Sequence, residues 1–148
     1  MRKRLVIGAI ATVVIGVAAY VFSQPRKGTV EYHKQKYVEA VTLGAFGVWL
    51  KEHPVPDFVR NEYAGWKYRR MQFHQQSLVD ARYLTQTVFV VSNRVAVIAG
   101  ARLNLSSALS EADYRFTSLW DATTNTVAVL GPTHCMQIIA QTIRDSDK

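Results

Sequence analysis

Leu84-Thr-Gln-Thr-Val-Phe-Val-Val91 is the stretch that decides the predicted fold. It is rich in β-branched and aromatic residues, which favour a buried strand. The segment before it is different, because its apolar residues recur at intervals of three and four, the period of an amphipathic helix. The change at Tyr83 therefore predicts an α+β domain, with a helical part before this strand and a small sheet after it.

The segment after this strand is predicted to supply a helix and then a β-hairpin. Val95–Leu103 favours a helix capped at Ser92 or Asn93, although its composition also allows a second strand. In Tyr114–Trp120 apolar and polar residues alternate, which predicts a strand. Thr126–Leu130 is predicted to be the returning strand. The turn chemistry of Asp121–Asn125 joins the two.

A last helix completes the predicted module. Gly131 and Pro132 break the returning strand, and Thr133 is the predicted helix cap. One apolar face of the helix is formed by Met136, Ile139, Ala140 and Ile143. Residues 83–148 therefore predict a βαββα module with a C-terminal helix.

The segment Asp121–Asp145 carries a run of an Asp, a turn ending in Thr-Asn, a short aliphatic strand, a breaker and a helix with paired isoleucines before a terminal Asp. This run resembles the ring-forming N-domains of bacterial secretins, whose fold is a βαββα module related in shape to KH domains. The resemblance implies a module that packs against copies of itself or against neighbouring proteins. It does not imply a channel.

The helical part before the strand is predicted as a two-helix hairpin over residues 29–82. Thr29 caps a first helix that runs to His53, where Pro54 and Pro56 end it. Asp57 caps a second helix that runs to about Ala81. The second half of the first helix is apolar nearly all round but too short to span a bilayer, so it is a core helix or a surface that meets a partner.

Residues 1–23 are predicted to be a transmembrane signal-anchor, joined by a linker over residues 24–28 to one domain over residues 29–148. The stretch from Leu5 to Phe22 has 18 residues without a charge, and a helix of that length reaches about 27 Å, close to the thickness of the hydrocarbon core. The apolar residues assigned to this anchor are Leu5, Val6, Ile7, Ile10, Val13, Val14, Ile15, Val17, Tyr20, Val21 and Phe22.

A cleaved signal peptide is the alternative, and it would leave an exported soluble domain. The basic residues before the apolar stretch suit either interpretation, and Val17-Ala18-Ala19 forms an acceptable cleavage site. For an uncleaved anchor we predict a single-pass membrane protein with its N-terminus in the cytoplasm and its domain outside. This orientation depends on Arg2, Lys3 and Arg4, although Arg26, Lys27, Lys34 and Lys36 nearly balance them.

The net charge of +7 is concentrated around the apolar stretch. Residues 1–28 hold five Lys and Arg and no acid, whereas residues 29–148 hold 13 Lys and Arg against 11 Asp and Glu. The cations therefore lie where anionic lipid would be, and the domain is close to neutral. Nucleic acid is accordingly disfavoured as a partner.

The sequence contains no motif of a catalytic, cofactor or metal site, and none of these sites is predicted. The four histidines are widely spaced, with no pair three or four residues apart. Cys135 follows His134 directly, and neighbours on a helix point about 100° apart, which excludes a nucleophile–base pair. Cys135 is predicted to be a small buried side chain. No enzyme activity and no small-molecule substrate are predicted.

Trp66–Met71 is the densest aromatic and basic cluster. It is either a contact for anionic lipid or nucleic acid, or an amphipathic helix whose aromatic residues pack inward while its cations face water. The leading functional hypothesis is a scaffold, assembly or protein-interaction module of the cell envelope, which docks on other envelope proteins or on itself. The predicted contacts are the outer faces of the 114–130 hairpin together with Phe46, Trp49, Leu50, Trp66, Lys67, Arg69 and Arg70.

Overall fold

The computed structural model describes residues 25–123 and 125–148. The predicted anchor, Leu5–Phe22, lies outside these residues. Among the residues that are described, none of the helices combines the length and the apolar character needed to cross a membrane.

Three helices form the first part of the structure: α1 (Val30–Val41), α2 (Ala45–Glu52) and α3 (Asp57–Asp80). The prediction of one helix from Thr29 to His53 is wrong, because the chain leaves the helix at Thr42 and starts a new one after Gly44. Residues 42–44 combine a β-branched residue with glycine, and both are poor in a helix interior. The predicted hairpin of α1 and α3 therefore contains a third, short helix.

The ends of these helices follow local side-chain chemistry. The predicted cap is confirmed at Thr29, whose Oγ1 accepts a hydrogen bond from the Tyr32 N–H at 3.2 Å. Asp57 is the first residue of α3 and not its cap, a position that Pro56 occupies. A proline fits immediately before or at the start of a helix, since its missing N–H would have no partner there.

The sheet has three antiparallel strands in the order β1-β3-β2. The strands are β1 (Leu84–Val90), β2 (Ser118–Thr123) and β3 (Thr126–Pro132). The last strand in the chain is therefore the central one, and it pairs with both others over nearly its full length. The α+β prediction is confirmed.

Helix α4 (Arg94–Ala108) lies between β1 and β2 in the chain. Its predicted cap is confirmed, because the Asn93 side chain accepts a hydrogen bond from the Ala96 N–H at 3.3 Å. A one-turn helix, α5 (Glu111–Tyr114), then takes the first residue of the predicted 114–120 strand, and β2 begins only at Ser118. Ser110 caps α5 by accepting from the Asp113 N–H, and this local bond competes with an extended chain.

After β3 the chain forms a single 3₁₀ turn (Thr133–Cys135) and then α6 (Met136–Ser146). Thr133 is not the cap of the last helix. Its hydroxyl instead donates to the backbone carbonyl of Arg82 at 2.8 Å, which ties the end of β3 to the start of β1. Gly131 and Pro132 belong to β3 and do not break it.

Apolar residues pack on both faces of the sheet. Helices α4 and α6 cover one face, where Val127, Val129 and Ile139 are fully buried. On the other face, Leu84 and Leu130 pack against Tyr37 of α1 and Leu78 of α3. The sheet thus lies between α1 and α3 on one side and α4 and α6 on the other.

Candidate binding face on the first three helices

Helix α2 approaches α3 at Gly47, which has no side chain. A Cβ atom there would lie 2.9 Å from Leu43 Cδ1 and 3.1 Å from Tyr63 Cε1. Leu50, one turn later, points the same way and is only 4% exposed. Gly47 and Leu50 thus form the inward face of α2, whereas Phe46 and Trp49 point outward.

These outward residues continue in a row of rings that crosses from α2 to α3. Phe46 stacks on Trp49 with 5.8 Å between ring centroids, and Trp49 stacks on His53 at 4.8 Å. Phe46 also meets the Tyr63 ring edge-on at 5.3 Å, and Tyr63 stacks on Trp66 at 6.0 Å. We call Phe46, Trp49, His53, Tyr63 and Trp66 the aromatic face.

The aromatic face is open to solvent. Phe46 is 54% exposed, and Trp49 and Trp66 are each 44% exposed. Tyr63 lines two grooves, one of about 330 Å³ and one of about 370 Å³. A partner side chain could therefore insert on either side of this ring.

Two cations of α3 cap the C-terminal ends of α1 and α2. Arg60 donates to the carbonyl of Leu50 at 3.3 Å and to that of His53 at 3.0 Å, at the C-terminus of α2. Lys67 donates to the carbonyls of Glu39 and Thr42 at 2.5 and 2.6 Å, at the C-terminus of α1. Arg60 and Lys67 are seven residues apart and so lie on one side of α3. Each occupies the negative end of a helix dipole.

The remaining cations of the predicted cluster differ in their surroundings. The Arg70 guanidinium lies over the Trp66 ring, 4.8 Å from its centroid, which is a cation–π arrangement. Arg69 is exposed on the outer side of α3. The basic cluster predicted from Trp66–Met71 thus contains one helix cap, one cation stacked on the aromatic face and one solvent-facing cation.

The structure brings four of the predicted contact residues together, namely Phe46, Trp49, Trp66 and Arg70. Leu50 is buried beneath them, and Lys67 is engaged with backbone carbonyls. On the 114–130 hairpin, Trp120 is the large exposed apolar residue. It lies on the sheet face where Val88 flanks it across Ala128.

Two members of the aromatic face, His53 and Tyr63, were not predicted as contacts. Their spacing supplies a signal in retrospect, since residues 46, 49 and 53 and residues 63, 66 and 70 each follow a three-then-four interval along a helix. The same interval is typical of a buried stripe, so the spacing alone does not distinguish a core residue from a contact residue.

A pair of histidines joins α1 to α3 near the start of α1. His33 Nδ1 is 2.9 Å from His74 Nδ1, so one ring donates and the other accepts. His74 is buried, and burial lowers its pKa, with the neighbouring His33, Arg70 and Lys36 adding to the effect. The two residues are far apart in the chain, and their positions in the sequence give no sign of this contact.

Comparison with protein-family models, with curated proteins and with solved structures finds no match to this chain.

Proposed function

We propose that this chain is a single-pass, membrane-anchored interaction module of the cell envelope. Its aromatic face binds an apolar segment of another envelope protein, and acidic residues flank that segment. The observation that supports this most directly is the exposed row of stacked rings on α2 and α3. Exposed, contiguous aromatic side chains are characteristic of binding surfaces, and Trp, Tyr and Arg are the residues most enriched at binding hot spots.

The charges around the grooves favour an acidic partner. Four cations line the two grooves, and one acid, Glu39, accompanies them. Glu39 is already paired with Lys36 Nζ at 2.7 Å. The four cations are Lys51, Arg60, Lys67 and Arg70. A second copy of the chain would bring like charges together, whereas a segment bearing Asp or Glu would complement them.

The position of the face supports a protein partner over the lipid surface. The linker enters the domain at the start of α1, and the aromatic face lies beyond the other end of that helix. The 12 residues of α1 span about 18 Å. A binding face on the far side of the helix from the linker is suited to a partner that stands away from the anchor.

Binding without catalysis agrees with the surroundings of the single cysteine. Cys135 is 5% exposed, and burial raises the pKa of its thiol, with the nearby Asp113 acting in the same direction. A protonated, buried thiol is a poor nucleophile. The resemblance of Asp121–Asp145 to secretin N-domains also supports a role in an assembly.

Contact with nucleic acid or anionic lipid through Trp66–Met71 is the weaker proposal. Lys67 already binds two backbone carbonyls, and Arg70 already lies over Trp66. Direct coordination of phosphate would cost the caps and contacts that they make now, whereas an acidic segment beside the grooves is attracted by their charge without displacing those contacts.

The test is selection of binding peptides by the full chain in phosphatidylcholine nanodiscs. We expect a displayed peptide library to yield sequences with apolar residues flanked by Asp or Glu. The selected peptides should bind less tightly as salt is raised, and the double variant Trp49→Ala/Trp66→Ala should lose affinity about tenfold or more. Trp120→Ala is the matched control, since Trp120 is a comparably exposed tryptophan on the sheet, and it should bind as the unmodified chain does.

Four results would overturn this proposal. Peptides without acidic enrichment would exclude an acidic partner, and equal binding by the double variant would exclude the aromatic face as the docking site. Sedimentation showing a dimer that the double variant abolishes would identify a second copy as the occupant. A blue shift of Trp49 and Trp66 fluorescence on phosphatidylserine vesicles would identify lipid headgroups instead.

A further inference from the structure

Three potential metal ligands meet at the end of β3, away from the aromatic face. A carboxylate oxygen of Asp113, an imidazole nitrogen of His134 and the sulfur of Cys135 all lie within 4.8 Å of one another. His134 Nε2 is 3.2 Å from Asp113 Oδ1. We propose that these three side chains bind a zinc ion.

The fold builds this cluster from two separate elements. Asp113 comes from the one-turn helix α5, and His134 and Cys135 come from the 3₁₀ turn that follows β3. Adjacent residues of a 3₁₀ turn point about 120° apart, and Asp113 is the residue that both side chains reach. The sequence predicts no metal site because metal ligands were expected at short spacing within one element. Asp113 lies on a different element from His134 and Cys135.

Hydrogen bonds already hold the ligands in place. Ser110 Oγ donates to Asp113 Oδ2 at 2.7 Å, which leaves Oδ1 directed at His134. Thr133, next to His134, is fixed by hydrogen bonds to the Arg82 carbonyl and to Thr85 Oγ1. Outer hydrogen bonds of this kind orient ligands in protein metal sites.

The donor set matches zinc better than other common divalent ions. Zinc accepts thiolate, imidazole and carboxylate together, whereas magnesium and calcium require oxygen ligands. With bonds of about 2.0–2.3 Å, the ligands of a tetrahedral zinc ion lie about 3.3–3.7 Å apart. Small side-chain rotations bring the three atoms to that spacing. The thiol proton of Cys135 leaves to solvent when the Zn–S bond forms, so binding strengthens as pH rises.

One side of the cluster is open. The Cys135 side chain is buried at its base, whereas the His134 side chain is 60% exposed. Among residues 25–123 and 125–148, no fourth His, Cys, Asp or Glu joins the group. Water therefore completes the coordination, and the ion ties α5 to the start of α6.

The test is a Co²⁺ titration of the full-length protein in dodecyl maltoside. We expect a near-ultraviolet thiolate-to-Co²⁺ charge-transfer band that one equivalent of Zn²⁺ removes, and a rise in apparent Tm with Zn²⁺. His134→Gln should lose both, and because this side chain is exposed the variant retains its fold. Ser110→Ala should bind zinc about 10- to 100-fold more weakly, since it loses the hydrogen bond to the Asp113 carboxylate and the cap of the one-turn helix that carries Asp113.

The control is the double variant His33→Gln/His74→Gln, which removes the separate pair of histidines on α1 and α3. It should keep the charge-transfer band at full intensity. The proposal is overturned if the unmodified protein gives no sulfur band, if His134→Gln gives an equal band, or if the His33/His74 variant loses the band.

Discussion

At the scale of single residues, Arg60 and Lys67 explain why a basic cluster on α3 need not be a polyanion site. A lysine or arginine side chain is long enough to cross from one helix to the open carbonyls at the end of another. Both residues do this, and both therefore serve the packing of α3 on the helices before it. Such a cation acts as a cap when the end of another helix lies within its reach. The residues next to it in the sequence do not show whether a helix end is there.

Replacing Lys67 by Met is expected to lower the free energy of unfolding by about 1–2 kcal/mol, because two carbonyls at the end of α1 lose a charged donor. Arg69→Met removes the same charge from the exposed side of the same helix and should change stability by less than about 0.5 kcal/mol. Urea unfolding at neutral pH measures both. Equal losses for the two variants would contradict the role of Lys67 as a cap.

His74 makes the stability of the protein depend on pH. Its pKa is lowered in the folded state, chiefly by burial, so the unfolded chain takes up the proton more readily. The contribution of His74 is therefore fully present above its unfolded pKa of about 6.5 and is lost as pH falls through that value toward the folded pKa. We expect the free energy of unfolding to decrease between about pH 7 and pH 5.

The variant His74→Leu should show a flatter dependence of unfolding free energy on pH over this interval. His53→Gln is the control, because His53 is exposed and its Nδ1 lies 2.9 Å from the Trp49 carbonyl on its own helix. This variant should keep the slope of the unmodified protein. Denaturation in urea at several pH values gives the slopes, and identical slopes for all three proteins would contradict the prediction.

At the scale of secondary-structure elements, Gly47 and Gly65 provide a matched pair. Both lie within helices, where alanine is favoured over glycine by about 1 kcal/mol. A Cβ at Gly65 meets only the end of the Arg69 side chain at 3.4 Å, whereas a Cβ at Gly47 comes within 3.1 Å of the Tyr63 ring. Gly65→Ala should therefore be stabilising, by about 0.5–1 kcal/mol.

Gly47→Ala is expected to gain no stability or to lose it, since the added methyl forces α2 away from α3. The shift should also loosen the stacking of Phe46 on Tyr63, and the affinity for any peptide selected on the aromatic face should fall. Thermal unfolding and peptide binding measure these effects. A gain at Gly47 equal to that at Gly65 would show that the two helices do not meet closely there.

Most elements can be predicted from the sequence because their signals are local. Asn93, Thr29 and the apolar face of α6 each mark an element through residues within one or two turns. The errors occur where two local preferences compete. Thr42–Gly44 lies within a largely apolar stretch that favours a helix, yet its own residues end one. Ser110 caps a short helix that ends at Tyr114, the first residue of the segment that alternates like a strand.

At the scale of the whole molecule, the sheet connects the two groups of buried residues. Neighbouring residues of β3 face opposite ways, so Val129 packs under α4 and α6 while Leu130 packs toward α1 and α3. Strand β3 therefore belongs to both cores. The predicted helical part therefore packs on the predicted βαββα module through Leu84 and Leu130.

We expect the helical part and the sheet to unfold together. Proteins that retain only Trp66 or only Trp120 should report the same urea midpoint, because both cores depend on β3. Leu78→Ala, which empties a fully buried position between α3 and β1, should lower the stability seen by both probes by about 2–5 kcal/mol. Separate midpoints, or a shift at Trp66 alone, would mean that the two parts unfold independently.

The candidate sites are less predictable than the fold, because each depends on residues brought together from distant segments. The sequence predicts Phe46, Trp49 and Trp66 as contacts since they are large aromatic residues in short apolar or basic runs. It gives no indication that Tyr63 connects them, or that Asp113 lies beside His134 and Cys135. Such groupings follow from how helices and strands pack, and their members share no common spacing in the chain.

The order of the strands also has a consequence for how the protein is made. A ribosome releases β1 and β2 before β3, yet neither has a strand to pair with until residue 132 has been synthesised. During that interval the nascent chain presents Val88, Phe89 and Val90 with unpaired backbone groups, the kind of edge that recruits other unfolded chains. Newly made protein should therefore depend on a chaperone that holds β1 until the central strand arrives.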